Sequence, residues 1–239
     1  MSVKLVLFDL DGTLLPMDQD VFTKAYFGAL SGALAKRGYE PSALINAVWA
    51  GTAAMVKNDG TKPNEKAFWE VFCSVFGERA IEDEPYLDAF YRSESGFETV
   101  RSAVGFNPRA AEAVSLVKSL GLRCALATNP LFPSVATEKR ISWAGLSAAD
   151  FEIYTTYENS RFCKPNLAYY KEILEKLNVK AEECLMVGND ALEDMIASEL
   201  GMRVFLLTDC LINKTGVDIS VYPRGSFDEL CAYLKEIRG

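Results

Sequence analysis

The stretch Val3-Lys4-Leu5-Val6-Leu7-Phe8-Asp9-Leu10-Asp11-Gly12-Thr13 opens on a mostly apolar run and stops at two acids and a glycine. A near-continuous apolar segment of this length predicts a strand buried on both faces of a parallel sheet. Both carboxylates and the glycine turn fall at the carboxyl end of that strand, where open α/β sheets gather their ligands. Two acids this close beside a core are costly to keep charged, so they read as a catalytic pair.

The remaining chain is consistent with a globular enzyme. Its 239 residues are 49% hydrophobic and 24% charged, enough for one large domain or a main domain with an insertion. A net charge of −8 speaks against nucleic acid and anionic membrane as partners, since both call for a basic face. No run is apolar enough to span a bilayer, and no signal peptide is recognisable. The six cysteines are scattered without C-x-x-C spacing, as expected of buried thiols in a reducing cytosol, so a cytoplasmic location is expected. There is no histidine. Ser-His-Asp and Cys-His nucleophiles and His-ligated zinc are thereby excluded, leaving acid–base work to Asp, Glu, Lys, Tyr, Cys or water.

Beyond Thr13 the pattern turns helical from about Asp18 to Ser95, with apolar faces such as Phe22, Ala25, Tyr26, Ala29 and Leu30. The run Asn58-Asp59-Gly60-Thr61-Lys62-Pro63 breaks this block with turn chemistry, and its Lys57–Lys62 portion is a candidate substrate-reading loop. From Pro108 strands and helices alternate: strands at Leu122–Ala127, Phe151–Thr155, Cys184–Val187 and Arg203–Leu207, with helices between and after them. A helix is expected from about Ala191 to Leu200, closed by Gly201. This alternation predicts an α/β fold, a doubly wound parallel sheet with a Rossmann-like core at 1–15 and 101–239. Residues 16–100 are then a smaller all-helical cap domain inserted after the first strand.

Four expected strand ends carry polar residues: Asp9 with Asp11, Thr128-Asn129, Lys164-Pro165, and Gly188-Asn189-Asp190 with Asp194. In a parallel sheet these ends share one edge and can converge. In order they read FDLDGTLL, ATN, KP and VGNDALED. This set, spanning Phe8 to Asp194, resembles the haloacid dehalogenase superfamily of mostly Mg2+-dependent phosphatases and phosphotransferases. Asn189 stands between Gly188 and Asp190 where family members often have Gly directly before the Asp; the spacing to Asp194 is kept.

Phosphoryl transfer needs an in-line nucleophile, charge neutralisation and a proton donor for the leaving oxygen. Asp9 suits the nucleophile, passing through an aspartyl-phosphate. Asp11, two residues along an extended segment, points back at the same pocket and suits the general acid and base. The resemblance implies a Mg2+ site from Asp9, Asp190 and the Asp11 carbonyl, with Asp194 as a further ligand or a support. Lys164 would neutralise charge on Asp9 and the phosphate, and Thr128 and Asn129 would donate to phosphate oxygens. The expected substrate is a small phosphorylated metabolite.

Each motif also has a plainer reading. Asp11-Gly12 makes a tight turn, Asp190 with Glu193 a capping box, Thr128-Asn129-Pro130 an Asx or Ser/Thr turn, and Lys164 a solvated lysine before proline. Their joint occurrence in order favours catalysis. Arg161 could touch substrate, but reads better as a surface residue. A phosphomutase keeps the same two aspartates and is the alternative, as is a non-catalytic protein that binds a phosphorylated ligand. Halide displacement is disfavoured, because dehalogenase members generally lack an acid at the position of Asp11.

Overall fold

The computed structural model describes residues 2–238. Five strands, β1 (Leu5–Phe8), β2 (Arg123–Leu126), β3 (Cys184–Gly188), β4 (Arg203–Leu207) and β5 (Arg224–Gly225), form one parallel sheet in the order β2-β1-β3-β4-β5. The first strand is interior, with Phe8 beside Leu126 on one side and Val187 on the other. Every residue of β1 and β3 is buried, as their unbroken apolar runs require.

Side-chain alternation divides the core into two layers. Val6, Phe8, Leu185 and Val187 face α6 (Pro108–Ser119) and α9 (Phe227–Arg238), through residues such as Val117 and Leu230. Leu5, Leu7 and Met186 face the other way, onto Tyr169, Ile173 and Leu177 of α8 (Leu167–Leu177). Helices on both faces make the sheet doubly wound, the α/β fold expected from the alternation.

Between β1 and β2 lies an all-helical block: α1 (Gln19–Ala35), α2 (Pro41–Val56), α3 (Asn64–Phe76), α4 (Glu78–Glu82) and α5 (Glu84–Arg92). Local chemistry starts the first two helices cleanly. Asp18 accepts from the amides of Asp20 and Val21 at 3.0 and 2.9 Å, and Glu40 does the same for α2 beside Pro41. Helices α2 and α3 approach so closely at Gly51 that a Cβ there would stand 2.5 Å from the Phe68 ring. Asp83, wholly buried, is bound by Arg37 through Nε at 2.9 Å and Nη2 at 2.5 Å. A 3-10 segment at Phe97–Ala103 returns the chain to the sheet.

Two expected elements differ. Phe151–Thr155 is extended but forms no named strand. It borders β2 through one bridge, Leu126 with Tyr154, and through backbone bonds such as Leu126 N–H to Ile153 O at 2.9 Å. The segment stays alongside β2 as far as Thr155, whose amide donates to Leu126 O at 3.1 Å and whose hydroxyl bonds to Thr128 O at 2.6 Å. Ala191–Leu200 is not an α-helix either. It begins as turns, with the amides of Leu192 and Glu193 bonded to the Asp190 side chain, and continues as a 3-10 helix at Met195–Leu200.

Candidate active site

The amide of Asp9 donates to Val187 O at 2.9 Å, extending the ladder one residue past β1 and fixing this acid at the sheet edge. The chain then turns sharply at Gly12, whose φ of +85° favours glycine, and a Cβ there would run into the side chain of Asn189. The Thr13 hydroxyl lies 3.0 Å from both Asp9 Oδ2 and Asn189 Oδ1. Asn189 also donates to Cys210 O at 2.7 Å, tying the ends of β1, β3 and β4 together.

Lys164, 2% exposed, lies behind this edge with Nζ 2.8 Å from Asp9 Oδ1 and 2.7 Å from Asp194 Oδ1. Burial disfavours its charge, but the two carboxylates outweigh burial and hold the ammonium well above its ordinary pKa. Asp194 spends its second oxygen on the amide of Asp190, at 2.9 Å. Gly188 is the space this requires, since a Cβ there would overlap the Asp194 carboxylate. Asp190 in turn accepts from the amides of Leu192 and Glu193 at 2.8 and 2.9 Å, so the capping arrangement read from the sequence coexists with a place at the site.

Asp11 pairs through Oδ2 with Arg140 of α7 (Ser134–Trp143), while its Oδ1 is buried without a partner. Burial raises the pKa of this carboxyl and the charge of Asp9 adds to the rise, with Arg140 pulling the other way. Asn129 donates to Glu193 at 3.1 Å and leaves its own Oδ1 unpartnered. Burial pushes the Glu193 carboxyl up to about 7.

These groups form the floor of a cavity of about 590 Å3 roofed by the helical block. Asp9, Asp11, Thr128, Asn129, Asp190 and Asp194 all line it, so six of the seven expected residues converge there. Lys164 supports the floor from behind. The Lys57–Lys62 turn does not line the cavity; it packs instead against Phe162, onto which Gly60 fits. Arg161 pairs with Glu172 of α8 at 3.1 Å, as a surface residue should. Cys163 is buried among Asn64 and Met55, and burial lifts its thiol to about 12, so it is no nucleophile.

Sequence reasoning missed Arg140. It is wholly buried on the face of α7 that carries Ala136, Thr137 and Ile141, with its guanidinium 4.5 Å from the Phe132 ring. An arginine on an otherwise apolar helix face was the available signal.

Mg2+ fits the donor chemistry of this floor, which offers carboxylate and carbonyl oxygen and no nitrogen ligand. Among the described residues no three acids or cysteines are gathered closely enough to hold a metal unaided. That suits an ion that takes one or two carboxylates and fills its shell with water and substrate phosphate.

A family model described as haloacid dehalogenase-like hydrolase matches residues 3–199. Solved structures share the fold across nearly the whole chain. A 2-haloacid dehalogenase from Pseudomonas syringae pv. Tomato DC3000 is 21% identical with a TM-score of 0.62, covering 98% of this chain and 99% of its own. A HAD phosphatase from Thermococcus onnurineus is 18% identical at a TM-score of 0.57, covering 97% and 98%. A predicted phosphoglycolate phosphatase from Haemophilus somnus 129PT is 16% identical at 0.56, covering 98% of each chain. No curated protein matches in sequence.

Proposed function

The chain belongs to the haloacid dehalogenase-like hydrolase family, and we propose that it works there as a Mg2+-dependent phosphatase of small phosphomonoesters. The reading is carried by the pairing of Asp9, whose oxygens are oriented by Lys164 and Thr13, with Asp11 on the floor of the same roofed cavity.

In this reading Asp9 attacks phosphorus and the bond to the leaving oxygen breaks, giving an aspartyl-phosphate on Asp9. Asp11 gives its proton to the leaving alcohol, then takes one from the water that hydrolyses the acyl phosphate. Lys164 stabilises charge on Asp9, and Thr128 and Asn129 bind phosphate oxygens. Asp9, Asp190 and the Asp11 carbonyl would hold Mg2+, which supplies charge neutralisation for a dianion among acids. Asp194, both of whose oxygens are engaged by Lys164 and the Asp190 amide, serves to position these groups. Residues 16–100 act as a cap over the core formed by 1–15 and 101–239, excluding water from the first step. A cytoplasmic enzyme acting on a small metabolite is consistent with the acidic chain, in which no described helix is long and apolar enough to cross a membrane.

Asp11 separates this reading from halide displacement, which needs no proton for its leaving group. A phosphomutase would use the same two acids, and differs in returning the phosphoryl group to a substrate oxygen. The deciding experiment is phosphate release from p-nitrophenyl phosphate with Mg2+, with chelator, and in Asp9→Asn. Metal-dependent release lost in the variant supports the phosphatase. Folded protein that releases no phosphate from any ester overturns it.

A further inference from the structure

The roof of the cavity is built of rings. Tyr26, Phe27, Trp49 and Phe132 line one wall, and Phe68 and Trp69 line the other. Tyr26 and Phe132 meet edge to face at 5.3 Å, and Phe68 and Trp69 stand perpendicular at 5.8 Å. The rings do not close on one another: Trp49 remains 51% exposed while lining the cavity, and Phe68 and Trp69 are only half-buried. Large apolar surfaces left open around a concave site mark the place of an apolar ligand group.

The charges of the roof are as one-sided as its rings. Glu65, Glu84, Asp88 and Glu158 line this half of the cavity, and the one cation among them, Arg92, is taken by Asp88 at 2.6 Å. Glu65 and Glu84 have no cationic partner among the described residues, and Glu158 is held by the amide of Ser134. Burial, with Glu158 and Glu84 nearby, raises the Glu65 carboxyl. The other lining cation, the exposed Lys214, lies near Ile212, which pairs with Asp190 at the floor. A carboxylate or second phosphate on a leaving group among these rings would meet the unpaired acids Glu65 and Glu84, with Arg92 already taken by Asp88.

We propose that the substrate is a phosphomonoester whose alcohol carries an aromatic ring, neutral or cationic, and no second anionic group. This rests on the phosphatase reading above and assigns the substrate class of that same site. The ring lies between the two aromatic walls while the phosphate reaches Asp9. An amine on the ring would be welcomed by Glu65 and Glu84.

The test uses esters of equal intrinsic reactivity: 2-phenylethyl phosphate, its para-carboxylate, phosphoglycolate and glucose 6-phosphate. We expect kcat/KM for 2-phenylethyl phosphate to exceed each of the others by roughly tenfold or more, the scale of discrimination available to an apolar pocket. Trp49→Ala, at an exposed position that the fold tolerates, should narrow that ratio severalfold. Turnover of phosphoglycolate or glucose 6-phosphate at an equal or greater kcat/KM overturns the substrate class and leaves the phosphatase standing. Binding is measured separately by tryptophan fluorescence with 3-phenylpropylphosphonate and 3-carboxypropylphosphonate. Preferential binding of the phenyl compound without turnover of any ester supports the ring site while removing the phosphatase. Equal or tighter binding of the carboxylated compound overturns the ring site.

Discussion

Arg140 and Asp11 form an ion pair in which the arginine is wholly buried and the acid lines the cavity. One carboxylate oxygen of Asp11 is thereby committed and the other is left without a partner. A side chain held in this way has one orientation instead of several, which matters for a group that must meet a leaving oxygen at hydrogen-bond distance. In the proposed mechanism Arg140 is therefore a positioning residue.

Arg140→Gln is expected to lower kcat by about ten- to a hundredfold, a part of the roughly 10²–10⁴-fold that general acid catalysis contributes. The loss should be greatest for esters of poorly acidic alcohols, so the plot of log kcat against leaving-group pKa steepens. Arg140→Lys should recover part of the loss. A uniform loss across leaving groups would indicate that the arginine matters only for packing.

Gly188→Ala is expected to displace Asp194, because the added methyl would occupy the place of its carboxylate. Lys164 and the Asp190 amide then lose a shared partner. Mg2+ dependence should shift to higher concentrations, by about tenfold or more on the scale of outer-shell losses at metal sites. A titration of activity against Mg2+ checks this.

Lys164→Met removes one cation from between two buried acids and leaves both without it. Breaking a buried ion pair from one side costs about 3–5 kcal/mol. Urea unfolding should show a loss of that order, together with loss of phosphate release.

Asp83→Asn in the helical block should destabilise the fold near neutral pH, since Arg37 loses its charged partner. Burial of Asp83 acts to raise its carboxyl, but the bonds from Arg37, with Arg79 3.5 Å away, outweigh this and hold it below its ordinary value. A depressed folded-state pKa adds stability above the unfolded value of about 3.9, and that stability is lost as pH falls through the folded value. The gap between Asp83→Asn and the parent should therefore narrow between pH 7 and about pH 3, as paired urea melts would show.

The core was readable because burial on both faces leaves an unmistakable trace: Leu5–Phe8 and Cys184–Gly188 are apolar without interruption. The polar groups at their ends needed only strand topology to be brought together. Phe151–Thr155 misled because its composition suits a strand, while it meets β2 through the single bridge at Tyr154, a limit that no local pattern announces. Arg140 went unseen for a related reason. Its partner is 129 positions away, and long-range ion pairs leave no periodicity. The cavity's rings were visible as residues, but their periodicity is that of helix packing, and only the assembled walls distinguish Trp49 from a core tryptophan.

The acids around the cavity also bear on arrival. In the proposed reading a phosphate dianion entering this cavity meets Glu65, Glu84, Asp88 and Glu158, with Arg92, already paired with Asp88, and Lys214 as the lining cations. Its encounter is retarded by the protein's own field, the reverse of electrostatic steering. Salt relieves this, since the screening length shortens from about 30 Å at 0.01 M to about 10 Å at 0.1 M. The association rate, and with it kcat/KM for dilute substrate, should therefore rise with ionic strength where most enzymes of anionic substrates slow down.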